Sequence, residues 1–237
     1  DAWLGLGNAQ YEDEKWAEAV KAYKEAVRLK NNNAEAFENL ADAYRQIPDF
    51  QQAEANYKLA ALFIERTPDY NREQAADIYS KSAFMVAKQC ELNRARNLKC
   101  RWPDAVAYLE KAAQFSPEAI DSANLGWAYY NAAREELSYR NDAAARPYLE
   151  KAKAALQKGS TAKGKVAAAS LVNLGRVLAD LGDLNGAADA LNKAVQRDSD
   201  SSFAWNELGA VYRKQNKFKD AAAAFRKAAD KDEKNPV

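Results

Sequence analysis

A 34-residue period constrains this chain more than any other feature. Near the C-terminus Trp205, Leu208, Gly209 and Tyr212 are followed by Ala221, Phe225 and Ala228. One period earlier stand Leu171, Leu174, Gly175 and Leu178, then Ala187, Leu191 and Ala194. In each copy the apolar positions fall at helical spacing, in two blocks joined by a short polar turn. A unit of this size cannot bury its apolar stripe alone, so successive copies must stack. The expected fold class is all-α: a solenoid of about six antiparallel helix pairs, with enlarged central repeats.

Two regular units open the chain. Trp3, Leu6 and Gly7 pair with Ala19, Tyr23 and Ala26; Phe37, Leu40, Ala41 and Tyr44 pair with Ala53, Tyr57 and Ala60. Gly7 and Ala19 allow close approach of the helices, Trp3 and Tyr23 fill the wider layer, and Trp16 packs across the turn. Pro48 and Asp49 mark the second turn, where proline opens a helix rather than interrupting one. The third unit uses Tyr79, Ser82, Ala83 and Val86, then Ala105, Leu109 and Ala112; the fourth uses Leu125, Gly126 and Tyr129, then Ala145, Leu149 and Ala152. Approximate units are 1–33, 34–67, 76–118, 119–158, 168–201 and 202–235. Insertions fall near 90–100 and 135–141, and irregular junctions near 64–75 and 158–165. The first insertion lacks proline and glycine and reads as an extension of both flanking helices around a raised turn. Gly159, Ser160 and Gly164 read as a loose junction. The chain begins inside a repeat and shows no polar capping helix after Ala228, so an excised fragment or a processed protein is expected.

Charge and composition remove several functional classes. No apolar run approaches the roughly 20 residues of a membrane span, so direct membrane insertion is not expected. A net charge of +1 creates no general field for nucleic acid. Arg94, Arg96, Lys99 and Arg101 are locally basic, but Glu91 and Asp104 dilute them and no aromatics interleave, so no nucleic-acid partner is expected. The chain has no histidine, the commonest metal ligand and neutral-pH base. With no glycine-rich phosphate loop and no nucleophile–base pair, the expectation is a protein that is not an enzyme and needs no cofactor or metal. Cys90 and Cys100 flank the first insertion. Opposed helix extensions bring them together as a disulfide under oxidising conditions; otherwise they stay two thiols, and both readings stand. Alone they cannot form a structural zinc site, which normally needs four ligands.

The Trp3–Leu6–Gly7 and Leu208–Gly209–Tyr212 pattern, followed by the Ala–aromatic–Ala helix, resembles the tetratricopeptide repeat family over nearly the whole chain. The resemblance implies a right-handed superhelical solenoid acting as a non-enzymatic protein–protein interaction scaffold. It further implies a concave face, lined by the first helix of each unit, that binds a peptide segment or partner protein. Transferred to this sequence, the groove residues are Asn8, Glu38, Asn39, Asp42, Phe84 and Lys88, then Trp127, Tyr130, Asn131, Arg176, Asn206 and Arg213, with Val172 beside them. Phe84, Trp127 and Tyr130 read equally as an apolar groove floor and as packing inside enlarged units. Asn39, Asn124 and Asn173 recur before the packing leucines, as peptide-backbone binders or as local hydrogen-bond partners. Glu35, Glu38 and Asp42 against Arg213 and Lys214 polarise the groove and would orient a charged partner. Some family members clamp a C-terminal carboxylate with Lys, Asn and Arg side chains. Asn8 and Asn39 match two amide positions, but Leu4 and Asp77 stand where basic residues are needed, and only Lys81 offers a substitute. The partner is thus an unidentified protein or peptide, with oligomerisation through a terminal unit also open. The alternative is a structural spacer or assembly module that uses repeat edges, insertions or terminal surfaces.

Overall fold

The structure is a computed structural model that describes residues 2–68, 70–96, 98–116 and 118–234. Asp69 in one irregular junction, Asn97 in the first insertion and Asn235 at the end of the last unit lie outside the described residues. Twelve helices occur among the described residues, in two compact units, 1–117 and 118–237.

The first unit holds α1 (Ala2–Glu12), α2 (Trp16–Leu29), α3 (Ala34–Gln46), α4 (Phe50–Glu65), α5 (Arg72–Ala95) and α6 (Trp102–Phe115). Each helix packs on the next, and α1 also touches α3. The second holds α7 (Ala119–Ser138), α8 (Asp142–Gly159), α9 (Gly164–Asp180), α10 (Leu184–Arg197), α11 (Ser202–Lys214) and α12 (Phe218–Lys234). Here too neighbours pack in sequence, while α9 also touches α7 and α11. This contact order defines an all-α repeat solenoid of paired helices.

Short polar side chains start many of these helices. Asn33, Asp49, Asn71, Asn141, Asp183 and Ser201 each accept a backbone N–H from the first turn that follows. Such caps satisfy donors that a helix start leaves open and stabilise it by about 1 kcal/mol each. Asp49 caps α4, so Pro48 lies in the turn ahead of the helix rather than inside its first turn. Within the hairpin turns Glu14, Gly182 and Asn216 take left-handed backbone angles, φ 57°, 89° and 62°. Gly182 does so without a Cβ penalty, and asparagine tolerates it better than most residues.

The core is built where the helices of a hairpin cross on small residues. Gly7, Ala41, Ala83, Gly126, Gly175 and Gly209 occupy one side; Ala19, Ala53, Ala105, Ala145, Ala187 and Ala221 occupy the other. All six of these second-helix alanines are buried. A Cβ placed on Gly175 would lie 2.5 Å from Leu191 Cγ, and one on Gly209 2.8 Å from Phe225. Tyr23, Tyr57, Leu109, Leu149 and Leu191 fill the next layer and are almost fully buried. Trp16 packs edge-on against Tyr11, with ring centroids 4.6 Å apart, across the first hairpin. Trp3 and Leu6, expected on the packing face beside Gly7, are instead exposed (43% and 45%). Among the described residues α1 packs chiefly against α2, with a smaller contact to α3, and Trp3 and Leu6 lie outside that packing.

The enlarged repeats absorb their extra residues as helix. In the third pair α5 runs for 24 residues, whereas α6 keeps the 14 residues of α2 and α10. The insertion therefore lengthens the first helix alone, not both as expected. Pro103 sits in the first turn of α6, where its missing N–H costs nothing, and it resists helix on its N-terminal side. In the fourth pair both helices lengthen, to 20 and 18 residues. Gly159 belongs to α8 rather than to a loose junction: a Cβ there would lie 2.8 Å from Ala123 Cα. The glycine serves a close helix contact, and the turn shrinks to 160–163.

One polar node ties the raised turn to the stack. Glu54, 6% exposed on α4, accepts two hydrogen bonds from the Arg101 guanidinium (both 3.0 Å), one from Tyr108 (3.2 Å) and one from Gln89 (2.9 Å). Arg101 also pairs with Asp104 at 2.6 Å. A buried carboxylate persists only with such partners. The Arg101 charge is thereby paired, while Arg94, Arg96 and Lys99 remain exposed around the same turn. Cys90 and Cys100 are both buried as thiols, with Cys100 Sγ donating to the Cys90 carbonyl at 3.4 Å.

The crossing geometry separates two glycines of one type. Gly175→Ala should lower stability by about 1–3 kcal/mol through overpacking against Leu191. Gly5→Ala, with nothing within 4 Å of the new methyl, should raise it by about 0.5–1 kcal/mol through helix propensity. Denaturant titration of both variants checks the pair. Removing the Arg101 fork (Arg101→Met) should cost about 2 kcal/mol in the same assay, because Glu54 stays buried with fewer donors.

Candidate partner-binding faces

In the first unit the odd-numbered helices carry a connected polar ladder. Asn8 Oδ1 accepts from Tyr23 Oη (2.9 Å) and from Asn39 Nδ2 (3.0 Å). Asp42 Oδ1 accepts from Tyr57 Oη (2.6 Å) and pairs with Arg45 (3.3 Å). Glu38 takes Lys81 Nζ (2.8 Å) and Gln74 Nε2 (3.1 Å), while Lys81 also reaches Asp77 at 2.9 Å. The Lys81 ammonium lies 5.9 Å from the centre of the Tyr57 ring. A shallow cleft of about 150 Å³ opens among Asn8, Tyr11, Glu12, Asn39 and Asp42, with Tyr23 beneath. Phe84 stands further along α5, 48% exposed, with Lys88 Nζ 5.4 Å from its ring centre and Lys88 paired to Glu91 at 2.8 Å.

Burial foremost, with the neighbouring Tyr11 phenol and the carboxylates of Asp42, Glu12 and Glu35, pushes the Tyr23 phenol up to about 12. Burial is likewise the foremost reason that Tyr57 and Tyr79 are raised further, with Asp42 and Glu65 as their carboxylate partners.

The second unit presents a different surface. Tyr130 on α7 is 4% exposed and donates to Asp180 Oδ2 at 3.0 Å. The Arg176 guanidinium lies 4.9 Å from the Tyr130 ring centre and 5.3 Å from that of Phe203, linking α7, α9 and α11. Its Nε reaches Glu207 at 3.5 Å, and Asn173 accepts from its Nη1 at 3.5 Å. Beside Phe203 a cavity of about 230 Å³ is lined by Val172, Asn173, Ala194 and Ala204, with Lys165 and Asp198 among its polar edges. Trp127 is half-buried, and Asn131 donates to its carbonyl at 2.9 Å. Asn206 and Arg213 are exposed on α11.

The expected groove residues thus divide by role. Asn8, Glu38, Asn39 and Asp42 stand together as an internally bonded ladder; Tyr130 and Val172 are buried, Val172 in the wall of the small cavity beside Phe203. Phe84 belongs to the first unit, Trp127 and Tyr130 to the second. Of the three recurring asparagines, Asn39 bonds across helices to Asn8, Asn173 bonds locally to Arg176 on its own helix, and Asn124 is exposed. The Glu54 node was not anticipated. The phenol–acceptor pairing carries a sequence signal: Tyr23 and Tyr57 sit 34 apart, as do Asn8 and Asp42. Where the tyrosine becomes Leu109, Leu149 or Leu191, the residue at the facing position is Phe84, Trp127 or Arg176. Among the described residues no group of three or more His, Cys, Asp or Glu is placed to hold a metal ion, and no helix is long and apolar enough to cross a membrane.

Paired helices stacked on small-residue crossings, with side chains presented along the first helix of each pair, define a repeat scaffold for protein–protein interaction. A TPR repeat model matches residues 7–47, and a tetratricopeptide repeat model matches 130–202 and 172–236. The chain belongs to the tetratricopeptide repeat family. It is 39% identical over 60 residues to the translocon at the outer membrane of chloroplasts 64 of Pisum sativum, covering 25% of this chain and 10% of that protein. The chain therefore matches only about a tenth of that relative's length. The C-terminal part of a TPR repeat-containing protein from Cytophaga hutchinsonii superposes with a TM-score of 0.66 at 11% identity, over 97% of this chain and 79% of that one. BtubC from P. vanneervenii gives 0.61 at 20% identity, over 92% and 88%. These structural likenesses establish the fold.

The buried phenols set a pH limit. Folding holds the Tyr23 proton above its ordinary value near 10, so the unfolded chain ionises first. The Tyr23 contribution is complete below about pH 10 and falls away between about 10 and 12, by at most about 2–3 kcal/mol. Thermal melts across that range should show the decline, and Tyr23→Phe should make it shallower.

Proposed function

We propose that this chain is a non-enzymatic scaffold that receives an extended peptide segment, or a partner protein's extended strand, along the odd-numbered helices of its units. The observation that carries the reading is the first unit's ladder, in which Asn8, Asn39, Asp42 and Glu38 are held in place by Tyr23, Tyr57 and Lys81. Side chains fixed in advance lose little freedom when a partner arrives. The ladder also leaves a particular kind of capacity open. Asn8 Oδ1 and Asn39 Nδ2 are engaged, so Asn39 Oδ1, the second Asp42 oxygen and the Glu12 carboxylate remain to accept hydrogen bonds at the cleft. An acceptor-rich cleft favours a donor, so a segment carrying a lysine or arginine suits the first unit best.

The second unit supports an apolar contact instead. Phe203 is half exposed beside the small cavity, with Arg176 fixed against its ring. Aromatic and arginine anchors of this kind often dominate interface energy.

The test is selection of peptides from a random extended-peptide library against the full chain. Affinities are then compared for Glu12→Gln, Phe84→Ala and Phe203→Ala, none of which removes a ladder bond. At least one variant should weaken selected peptides about tenfold, roughly 1.4 kcal/mol, with unchanged circular dichroism. If all three bind as the parent does, while Arg94→Ala with Arg96→Ala abolishes binding, the scaffold works through its insertion and the spacer reading replaces this one.

A further inference from the structure

The first insertion carries two neighbouring cysteines and a group of cations that the scaffold role does not use. Cys90 lies within α5 and is 2% exposed; Cys100 lies on the non-helical stretch before α6 and is 7% exposed. Cys100 Sγ is 3.4 Å from the Cys90 carbonyl oxygen, so the Cys100 side chain lies directly against the Cys90 backbone. Asn93 holds the turn between them: its carbonyl accepts from the backbone N–H of Arg96 (2.9 Å) and of Leu98 (2.8 Å), and its side-chain amide donates to the Lys99 carbonyl (3.2 Å). Arg101, the next residue, is forked onto Glu54. The short segment carrying Cys100 is thus held against α5 by Asn93 and against α4 by Arg101, so Cys100 keeps its place beside Cys90. Arg94, Arg96 and Lys99 are exposed around the same turn.

We propose that Cys90 and Cys100 form a reversible dithiol–disulfide site that is oxidised by anionic low-molecular-weight disulfides. Cys100 is the entry point, because it sits on the short irregular stretch and is the more exposed of the two. Its thiolate attacks one sulfur of the small disulfide; a mixed disulfide forms and one small thiolate leaves. The Cys90 thiolate then attacks the Cys100 sulfur, closing the internal S–S bond and expelling the second small thiolate. The two protons shed by the cysteines end on the two small thiols. Overall two protein sulfurs are oxidised and one small disulfide is reduced to two thiols. The cations of the turn attract the carboxylates of an anionic disulfide and raise its local concentration. Closure would staple the lengthened end of α5 to the start of α6, fixing the raised turn that carries Arg94, Arg96 and Lys99.

The experiment exposes the reduced full chain to glutathione disulfide, quenches with an alkylating agent and reads intact mass and linked peptides. The parent should lose two hydrogens with a Cys90–Cys100 linkage, recover its thiols on dithiothreitol treatment, and melt at a higher temperature when oxidised. Cys90→Ser should stop at a single glutathione adduct on Cys100, and Cys100→Ser should react at least tenfold more slowly. Cys90→Ala and Cys100→Ala repeat the comparison if a serine variant shows altered circular dichroism. Cationic cystamine should react more slowly than glutathione disulfide, and the difference should shrink with added salt. A parent that accumulates a lasting mixed disulfide without closing, or whose thiols react only in denaturant, overturns the proposal. Equal rates for the two small disulfides overturn the assignment of an anionic oxidant.

Discussion

Close crossing of two helices on small side chains is the constraint from which the rest of this molecule follows. With Gly175 against Leu191 and Gly209 against Phe225, the paired helices approach so nearly that an added Cβ would collide with the facing side chain. Buried alanines two turns apart, such as Ala187 and Ala194, keep the opposing helix equally slim. Bulk is then forced into the layers between crossings, where Tyr23, Tyr57 and Leu191 are nearly inaccessible to solvent. Because a single pair cannot cover its own outer stripe, the next pair must. Stacking is a consequence of the crossing rather than an additional interaction.

The polar network is layered onto that packing. Tyrosine in the bulky layer brings a hydroxyl to the edge of the core, where it needs an acceptor. Asn8 and Asp42 supply one for Tyr23 and Tyr57, and the same side chains then connect to Asn39 and Arg45. In the second unit Leu149 and Leu191 make no such demand, and the corresponding outer positions hold Trp127 and Arg176. The chemistry of each unit's presenting face is therefore coupled to the choice of one core residue on the second helix.

The regular pairs were readable because their positions repeat with chemical as well as numerical identity. The enlarged pairs were less readable. An insertion without glycine or proline is compatible with helix on either side of it, and only the Trp102–Pro103 start of α6 decided in favour of α5. Gly159 looked like a break, yet it is a contact point for Ala123. The sequence shows that a glycine is present but not whether the missing side chain serves the backbone or a neighbour. The candidate faces show the same division. The local spacing selected Asn8, Asn39 and Asp42, while the depth of Tyr130 and Val172 depends on helices far away in sequence.

Period and residue size by themselves determined the fold class: a small-residue crossing repeated every 34 positions has few solutions other than stacked helix pairs. Composition alone removed a histidine-based site. Only tertiary structure decided that Glu54 collects Arg101, Tyr108 and Gln89, that Lys81 bridges Glu38 and Asp77, and that Arg176 lies between Tyr130 and Phe203. Those partners are separated by up to 54 positions within each unit's stack, and no local pattern records which long side chain reaches which. The 34-residue unit specifies where a side chain stands on its helix. Its neighbour across the stack settles what that side chain is free to do.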